Sequence, residues 1–274
     1  MKKLMDKVGF YGVAGLYLVL FGFPFVITIV MSFKSQMEFL GGNFWGFPST
    51  LFFGNFARVF ASNFPRYFAN SVFVTALSVT ISILAGSLAS YAIARLKLKY
   101  APYLLLFFMV GMMIPVHTTL VPIYQLTKAF GLIDSHWGLI LPFVNFSLPI
   151  AIYIMTSFFR EISISIQESA IIDGASPFTI YWKIMLPLST PAISTVAIYN
   201  FLTCWNEFIY SMTLLNTERK KTLPLGIREF FGSETVNIPA VLTAILIASL
   251  PIIIFYIFAQ EKVVNGLSAG AIKG

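Results

Sequence analysis

The chain has 274 residues, of which 58% are hydrophobic and only 11% are charged, and its mean hydropathy is +0.84. A soluble domain carries about 25% charged residues, so this chain cannot cover a water-facing surface of its size. The composition excludes a soluble enzyme, a nucleic-acid-binding domain and a disordered scaffold, and it indicates an integral membrane protein. The net charge of +7 is typical of basic residues that flank membrane segments as topology signals.

The sequence offers no set of residues for catalysis or for a metal. Cys204 is the one cysteine, which excludes an intrachain disulfide and a thiolate cluster. His117 and His136 lack metal-ligand spacing, and no Gly-x-x-x-x-Gly-Lys-Ser/Thr phosphate loop occurs. We therefore expect a non-enzymatic chain with no cofactor or metal of its own.

Six long runs without Asp, Glu, Lys or Arg organise the chain, and each exceeds the roughly 20 residues that a spanning helix needs. A further run, 39–57, is rich in Gly, Pro and Asn and is predicted to be a loop. The sequence thus predicts an all-α transmembrane protein with one domain over 1–274. Its predicted helices lie at about 8–33, 69–94, 102–125, 137–159, 191–215 and 238–260.

Six spans place both chain ends on the same side of the membrane. Basic clusters next to the first two helices favour an inside location for the N-terminus, although the cluster Arg219–Lys221 opposes it. Prolines inside the runs, Pro115 among them, predict kinked helices, either around a pathway or as ordinary kinks.

The loop 160–190, after the fourth predicted helix, is typical of a helix-turn-helix outside the bilayer. A short helix at 167–173 is expected to stop at Gly174, and Ser176 is expected to cap a second helix that begins at Pro177 and ends before Pro187.

Two features of this loop indicate a contact surface. Phe178, Tyr181 and Trp182 have the spacing of one helical face, and Ala170, Gly174 and Ala175 leave a notch of small residues. An amphipathic segment resting on lipid is one explanation. Insertion into a groove on a partner protein is favoured, because it uses both the capped break and the notch.

The same loop resembles the "EAA" loop of ABC-importer permeases. The pattern Glu-Ala-Ala, three spacers, Gly, nine spacers, Ile-x-Leu-Pro is matched at every anchor except Ser169, which stands where the family has its first Ala. The resemblance implies that this loop couples the chain to an ATPase. The implied coupling residues are Glu168, Ser169, Ala170, Gly174, Ala175, Phe178, Tyr181, Leu186 and Pro187.

Further motifs along the chain resemble the carbohydrate branch of that family, the maltose-type importers. They are Asn70-Ser71, the segment 91–95, Met113-Ile114-Pro115, the segment 205–208 and the ending 266–274. The resemblance implies the six-helix bundle of type I importer permeases in a bacterial inner or plasma membrane, with both termini in the cytoplasm. It also implies a second homologous permease, two cytoplasmic ATPase subunits that bind ATP and Mg, and an extracytoplasmic sugar-binding protein, but no nucleic acid.

Residues with amide and aromatic side chains in the fourth and fifth predicted helices are candidates for the substrate path. They are Asn145, Tyr199, Asn200, Trp205, Asn206 and Glu207. Asn and Trp serve equally often as packing residues between membrane helices. Glu207 is either an intramembrane functional carboxylate or a hydrated group near the outer interface.

The apolar stretch Leu223-Pro224-Leu225-Gly226-Ile227, between the fifth and sixth predicted helices, is too short to span the membrane. It is either a turn packed on the protein or a functional loop. The resemblance implies a loop that enters the cleft of the binding protein and displaces sugar. A self-sufficient secondary transporter or channel is the alternative function, which is less favoured because no internal repeat is visible and Glu207 is the one acidic residue within a predicted span.

Overall fold

The computed structural model describes residues 2–42, 44–229 and 236–271, and these residues form helices, turns and loops without a strand. The α-helices are α1 (Lys2–Ser32), α2 (Gln36–Leu40), α3 (Gly54–Ala61), α4 (Phe64–Arg95), α5 (Ala101–Met112), α6 (Leu120–Ala129), α7 (His136–Glu161), α8 (Ile164–Ile172), α9 (Pro177–Ile180), α10 (Leu186–Leu188), α11 (Thr190–Trp205), α12 (Ile209–Leu214), α13 (Leu223–Glu229) and α14 (Ile238–Ala271). Short 3-10 turns lie at Val116–Thr119 and Glu218–Lys220, and a π-helical turn at Tyr181–Met185 joins α9 to α10.

Four helical segments in the described chain are long and apolar enough to cross a membrane unaided, and up to six spans result if each of two bent helix pairs counts as one. The four are Phe10–Ser32, Phe64–Arg95, His136–Glu161 and Ile238–Phe258. The first and last helices extend beyond the predicted 8–33 and 238–260, since α1 begins at Lys2 and α14 continues to Ala271.

The third predicted helix, 102–125, is broken in the structure. The segments Ala101–Met112 and Val116–Ala129 meet at an angle of 88°. Pro115 lies at the break with an extended backbone (φ −60°, ψ 124°), and its ring nitrogen has no hydrogen to donate. The break leaves a short 3-10 turn at membrane depth, where its backbone groups need partners from neighbouring helices.

The fifth predicted helix, 191–215, is interrupted as well. Its long part, α11, ends at Trp205, and α12 resumes at Ile209. At its start, α11 bends by 74° from the helical segment Pro177–Leu188.

The described chain divides into two units, and the larger comprises its residues in 69–224 and 251–271. Its central helix is α7, whose apolar window is half buried. A Cβ on Gly86 would lie 2.9 Å from that of Ala151, so α4 and α7 approach as closely as small residues permit. At this crossing the Ser90 hydroxyl donates a hydrogen bond to the Ile152 carbonyl (3.1 Å).

The smaller unit comprises residues 1–68 and 225–250. Asn55 lies buried within it, and its Nδ2 donates to the carbonyls of Ser32 (2.9 Å) and Lys34 (2.8 Å). Thr243 donates to the same Ser32 carbonyl (3.2 Å). These bonds satisfy the carbonyls at the C-terminal end of α1, which have no partner inside the helix.

Candidate functional site

The helix-turn-helix predicted between the fourth and fifth spans is confirmed, and we call residues 160–190 the coupling loop. Gly174 has φ +79°, a left-handed conformation in which glycine is favoured, and it ends the turn that follows α8. Ser176 caps the next helix by accepting a hydrogen bond from the Thr179 N–H (3.2 Å), and Pro177 occupies the first helical position. The first helix begins at Ile164, three residues earlier than predicted.

The expectation that the second helix ends before Pro187 is wrong, because the helical backbone continues to Leu188. A π-turn over Tyr181–Met185 precedes Pro187, and its wider i→i+5 spacing makes room for a proline ring within a helix. Ser189 closes the segment, since its N–H donates to the Met185 carbonyl (3.1 Å).

The coupling loop exposes most of the residues assigned to it. Glu168, Ser169, Gly174, Phe178 and Pro187 are exposed, while Ala175 and Leu186 are partly buried. Exposed apolar side chains surround them, notably Ile172 (85% exposed), Phe178 (66%) and Trp182 (41%). The coupling loop therefore carries a large exposed apolar surface.

Two of the assigned residues, Ala170 and Tyr181, lie in the interior and not on the exposed surface of the loop. Ala170 belongs to the buried core below the loop. Tyr181 is 1% exposed, and its hydroxyl lies 2.6 Å from that of Ser87 on α4. The ring centroid of Tyr91 lies 5.5 Å from that of Tyr181. Tyr181 therefore attaches the coupling loop to α4.

Arg95, at the end of α4, makes a second attachment. Its Nη2 donates to the carbonyls of Phe159, in the last turn of α7, and of Ile162, the first residue after α7. A cation at the C-terminal end of a helix satisfies free carbonyls and complements the helix dipole. Arg95 thus attaches the start of the loop to α4, and Tyr181 attaches its second half.

Two of the predicted substrate-path residues, Asn145 and Tyr199, line one cavity of about 430 Å³. The cavity lies along α5, the 3-10 turn that follows the Pro115 break, and the middle of α7. Both side chains are exposed. They therefore present an amide and a phenol to the same space, as expected for residues that contact a polar solute.

The other four predicted path residues are not among the described residues that line this cavity. Asn200 is fully buried and donates to the Ser82 hydroxyl (3.0 Å), while Trp205 is 3% exposed and stacks on Phe201. Asn206 bonds back to the Leu202 carbonyl (2.9 Å). Asn200 and Trp205 therefore act as packing residues.

Glu207 has a structural partner on its own segment. Its carboxylate accepts hydrogen bonds from the backbone N–H groups of Tyr210 (2.8 Å) and Ser211 (3.1 Å). These donors open α12, so Glu207 satisfies the backbone that the break in the fifth span leaves free.

Tyr210 connects the two helix breaks, a role that the sequence did not indicate. Its side chain is fully buried, and its hydroxyl donates to the Val116 carbonyl (2.8 Å). The Thr119 hydroxyl also lies 2.8 Å from it, and the Phe146 ring centroid is 5.3 Å away. Val116, Thr119 and Phe146 all line the cavity, so Tyr210 supports its wall from behind.

The stretch predicted to enter the binding protein is helical and largely buried. Leu223 and Leu225 are 1% and 6% exposed, and Gly226 is buried. Pro224 and Ile227 are half-buried. The apolar side chains of this stretch pack within the protein here and do not form a protruding tip. Entry of this stretch into a binding protein stays a prediction. The neighbouring residues 230–235 lie outside the described part of the chain.

The loop that precedes α13 is fixed by a cluster of polar side chains, which we call the loop clamp. Asp134 accepts hydrogen bonds from the N–H groups of Asn216 (3.0 Å) and Thr217 (2.9 Å), and Lys220 pairs with it at 3.2 Å. Asn70 donates to two further carbonyls of the loop, those of residues 219 and 221. Burial by itself would raise the pKa of Asp134, but the bonds from Thr217, Asn216 and Lys220 outweigh it and hold that pKa well below its usual value.

The sequence and the fold of this chain are similar to those of known transport proteins. The family described as "Binding-protein-dependent transport system inner membrane component" matches residues 82–267. An ABC transporter permease protein of Caldicellulosiruptor sp. (strain Rt8B.4) is 41% identical over 92% of this chain and 91% of its own length. The trehalose/maltose transport system permease protein of Thermococcus litoralis is 32% identical over 92% and 91%. A bacterial ABC transporter that imports the acidic polysaccharide alginate contains a chain of the same fold, with a TM-score of 0.82, 22% identity, and coverage of 95% of this chain and 97% of that one.

Proposed function

The chain belongs to the family of binding-protein-dependent transport system inner-membrane components and is a multi-pass permease subunit, and from this we propose that it imports a carbohydrate. The trehalose/maltose permease similarity supports this cargo. A self-sufficient transporter or channel is not favoured, because members of this family depend on a separate binding protein.

The observation that carries the proposed mechanism is the exposed apolar surface of the coupling loop. Phe178, Trp182 and Ile172 project from a capped helix-turn-helix beyond the spans, next to the exposed carboxylate of Glu168. An apolar surface of this kind is stabilised when a partner's groove covers it. In our proposal that partner is one of two cytoplasmic ATPase subunits, which hold ATP and Mg, so the coupling loop and both termini face the cytoplasm.

The remaining partners in this proposal are a second homologous permease, which completes the translocation pathway, and an extracytoplasmic sugar-binding protein. This chain then contributes one wall of the pathway and the mechanical link to ATP hydrolysis, without chemistry of its own. The broken third and fifth spans support this role, since irregular backbone at membrane depth is tolerated where it lines a cavity or is buried in protein.

The test is co-purification of the ATPase subunits with Phe178→Asp. Phe178 is 66% exposed, so the substitution costs little folding energy within the chain. A carboxylate without a partner in an apolar groove should weaken docking by about 2–3 kcal/mol, roughly 30- to 140-fold in affinity. Phe130→Asp is the matched control, because Phe130 is 75% exposed and lies far along the chain from the coupling loop.

We expect Phe178→Asp to insert in the membrane, to lose the ATPase subunits and to lose transport, while Phe130→Asp retains all three properties. Normal co-purification and transport with Phe178→Asp would contradict docking through the coupling loop.

A further inference from the structure

Two of the cavities along the described helices of the larger unit differ in their chemistry. One, of about 220 Å³, is lined by aliphatic and aromatic side chains of α11 and α14, among them Ile198 and Tyr256. The other is the cavity of about 430 Å³ that Asn145 and Tyr199 line, which we call the polar cavity. Its size lies within the usual range for small-molecule sites, about 300–1,000 Å³.

Resting on the function proposed above, we propose that the polar cavity is a saccharide subsite that takes rings without electric charge. Its polar groups are the Asn145 amide, the Tyr199 phenol and the Thr119 hydroxyl. An amide and a phenol both donate and accept hydrogen bonds, as sugar hydroxyl groups do. The aromatic rings of Phe107, Phe108 and Phe146 supply flat apolar surfaces for the C–H faces of a sugar ring.

The preference for neutral rings follows from the charges of the lining. Among the described residues that line the polar cavity there is no lysine, arginine, aspartate or glutamate. An acidic sugar would have to give up the hydration of its carboxylate there without a cation to pair with, which is strongly unfavourable. The nearby carboxylate of Glu207 is occupied by the N–H groups that open α12.

Hydrogen bonds and packing fix the wall of the polar cavity in place, as a selective binding site requires. Tyr210, buried behind the wall, bonds to Val116 and Thr119 and packs on Phe146. It therefore fixes the turn after the third-span break in relation to α7. The described lining of the apolar cavity offers no comparable set of polar groups.

The experiment uses thiol labelling in the importer assembled with its ATPase and binding-protein partners. Cys204 is the single cysteine, so Cys204→Ser gives a background free of thiols in this chain. Met112→Cys then reports on the polar cavity, since Met112 lines it and is 44% exposed. Tyr256→Cys is the matched control, because Tyr256 lines the apolar cavity and is 56% exposed.

Maltotriose and trigalacturonate, at about ten times a millimolar Kd, serve as the neutral and acidic probes. We expect maltotriose to slow maleimide labelling of the Met112→Cys chain about tenfold, and trigalacturonate to leave it unchanged. Neither probe should protect the Tyr256→Cys chain. Adding Asn145→Arg to the Met112→Cys chain should make trigalacturonate protective, since the new guanidinium pairs with a carboxylate.

Protection by trigalacturonate without the added arginine, or no protection by maltotriose, would overturn the subsite. Equal protection of both reporter positions would overturn it as well. ATP hydrolysis stimulated by the binding protein is measured in the same preparation. If that stimulation is present and protection is absent, the subsite alone fails, whereas loss of assembly and stimulation in the unmodified importer contradicts the proposed function.

Discussion

Gly226 offers a direct test of whether the apolar stretch of α13 is packed or protrudes. A Cβ built on Gly226 would lie 2.6 Å from two ring atoms of Tyr67 and closer still to a third, Cδ2. Ordinary carbon–carbon contacts are about 3.5–4.0 Å, so the ring would have to move by more than an ångström. Tyr67 is 2% exposed and has no open space to move into.

The loss of stability expected for Gly226→Ala follows from this crowding. Overpacking a buried site costs about 1–3 kcal/mol, and occasionally more. The better helix propensity of alanine offsets about 1 kcal/mol. Because Tyr67 has no space to move into, the upper part of the overpacking range, about 2–3 kcal/mol, applies here. The net loss of about 1–2 kcal/mol should lower the melting temperature of the purified protein by about 2–8 °C.

Thermal unfolding in detergent measures this loss, with Gly12→Ala as the control. A Cβ on Gly12 would meet nothing within 4 Å, and Gly12 lies within α1, so alanine there should leave stability unchanged or raise it. If Gly226→Ala melts at the same temperature as the control, Gly226 is not packed against Tyr67. A normal melting temperature together with a defect in sugar release would instead support the prediction that this stretch protrudes into the binding protein.

Much of the fold was predictable because the length of a spanning helix is set by the bilayer, and charge-free runs record that length directly. The breaks were harder to predict. Pro115 ends a helix, yet Pro142 and Pro149 remain inside the continuous α7. A proline's effect depends on whether neighbouring helices hold the backbone on both sides of it, and this tertiary information is absent from the local sequence.

Within the coupling loop, the residues that depend on local backbone geometry were predicted correctly. Gly174 and Ser176 occupy the turn and the cap because those positions need a left-handed residue and a short acceptor side chain. The aromatic residues do cluster, since the Phe178 and Trp182 ring centroids lie 6.0 Å apart and both side chains are exposed. Spacing of i, i+3 and i+4 places residues on one side of a helix but does not show which of them packs inward, and here Tyr181 is buried against α4.

Neither the loop clamp nor the burial of α13 could be predicted from the sequence, and the reason is the same for both. Asp134 and Lys220 are 86 residues apart, and no local pattern records their pairing. In the segment 223–227, apolar composition shows that the side chains avoid water, but it does not distinguish the protein's own interior from a partner's cleft. Contacts at long sequence separation decide that question, and they appear only once the helices are placed.

Two further outcomes follow from these contacts. Tyr181→Phe should lower the free energy of unfolding by only about 1 kcal/mol, because Ser87 keeps its hydrogen bond to a backbone carbonyl. Co-purification of the ATPase should be normal, because Tyr181 is buried. Loss of the ATPase without loss of stability would instead place Tyr181 on the contact face. Asp134→Asn should cost about 1–2 kcal/mol near neutral pH, because the bonds from Thr217 and Lys220 favour the charged carboxylate. The folded-state pKa of Asp134 is lowered, so this stabilisation is complete above the usual aspartate pKa of about 3.9 and is lost as the pH falls from there towards the folded-state value. The free energy of unfolding, measured from pH 8 to pH 3, should therefore differ by a constant amount between the native chain and Asp134→Asn down to about pH 4. This difference should become smaller only below that pH. A gap that closes between pH 7 and pH 5 would mean that another titrating group, and not the Asp134 carboxylate, holds this loop.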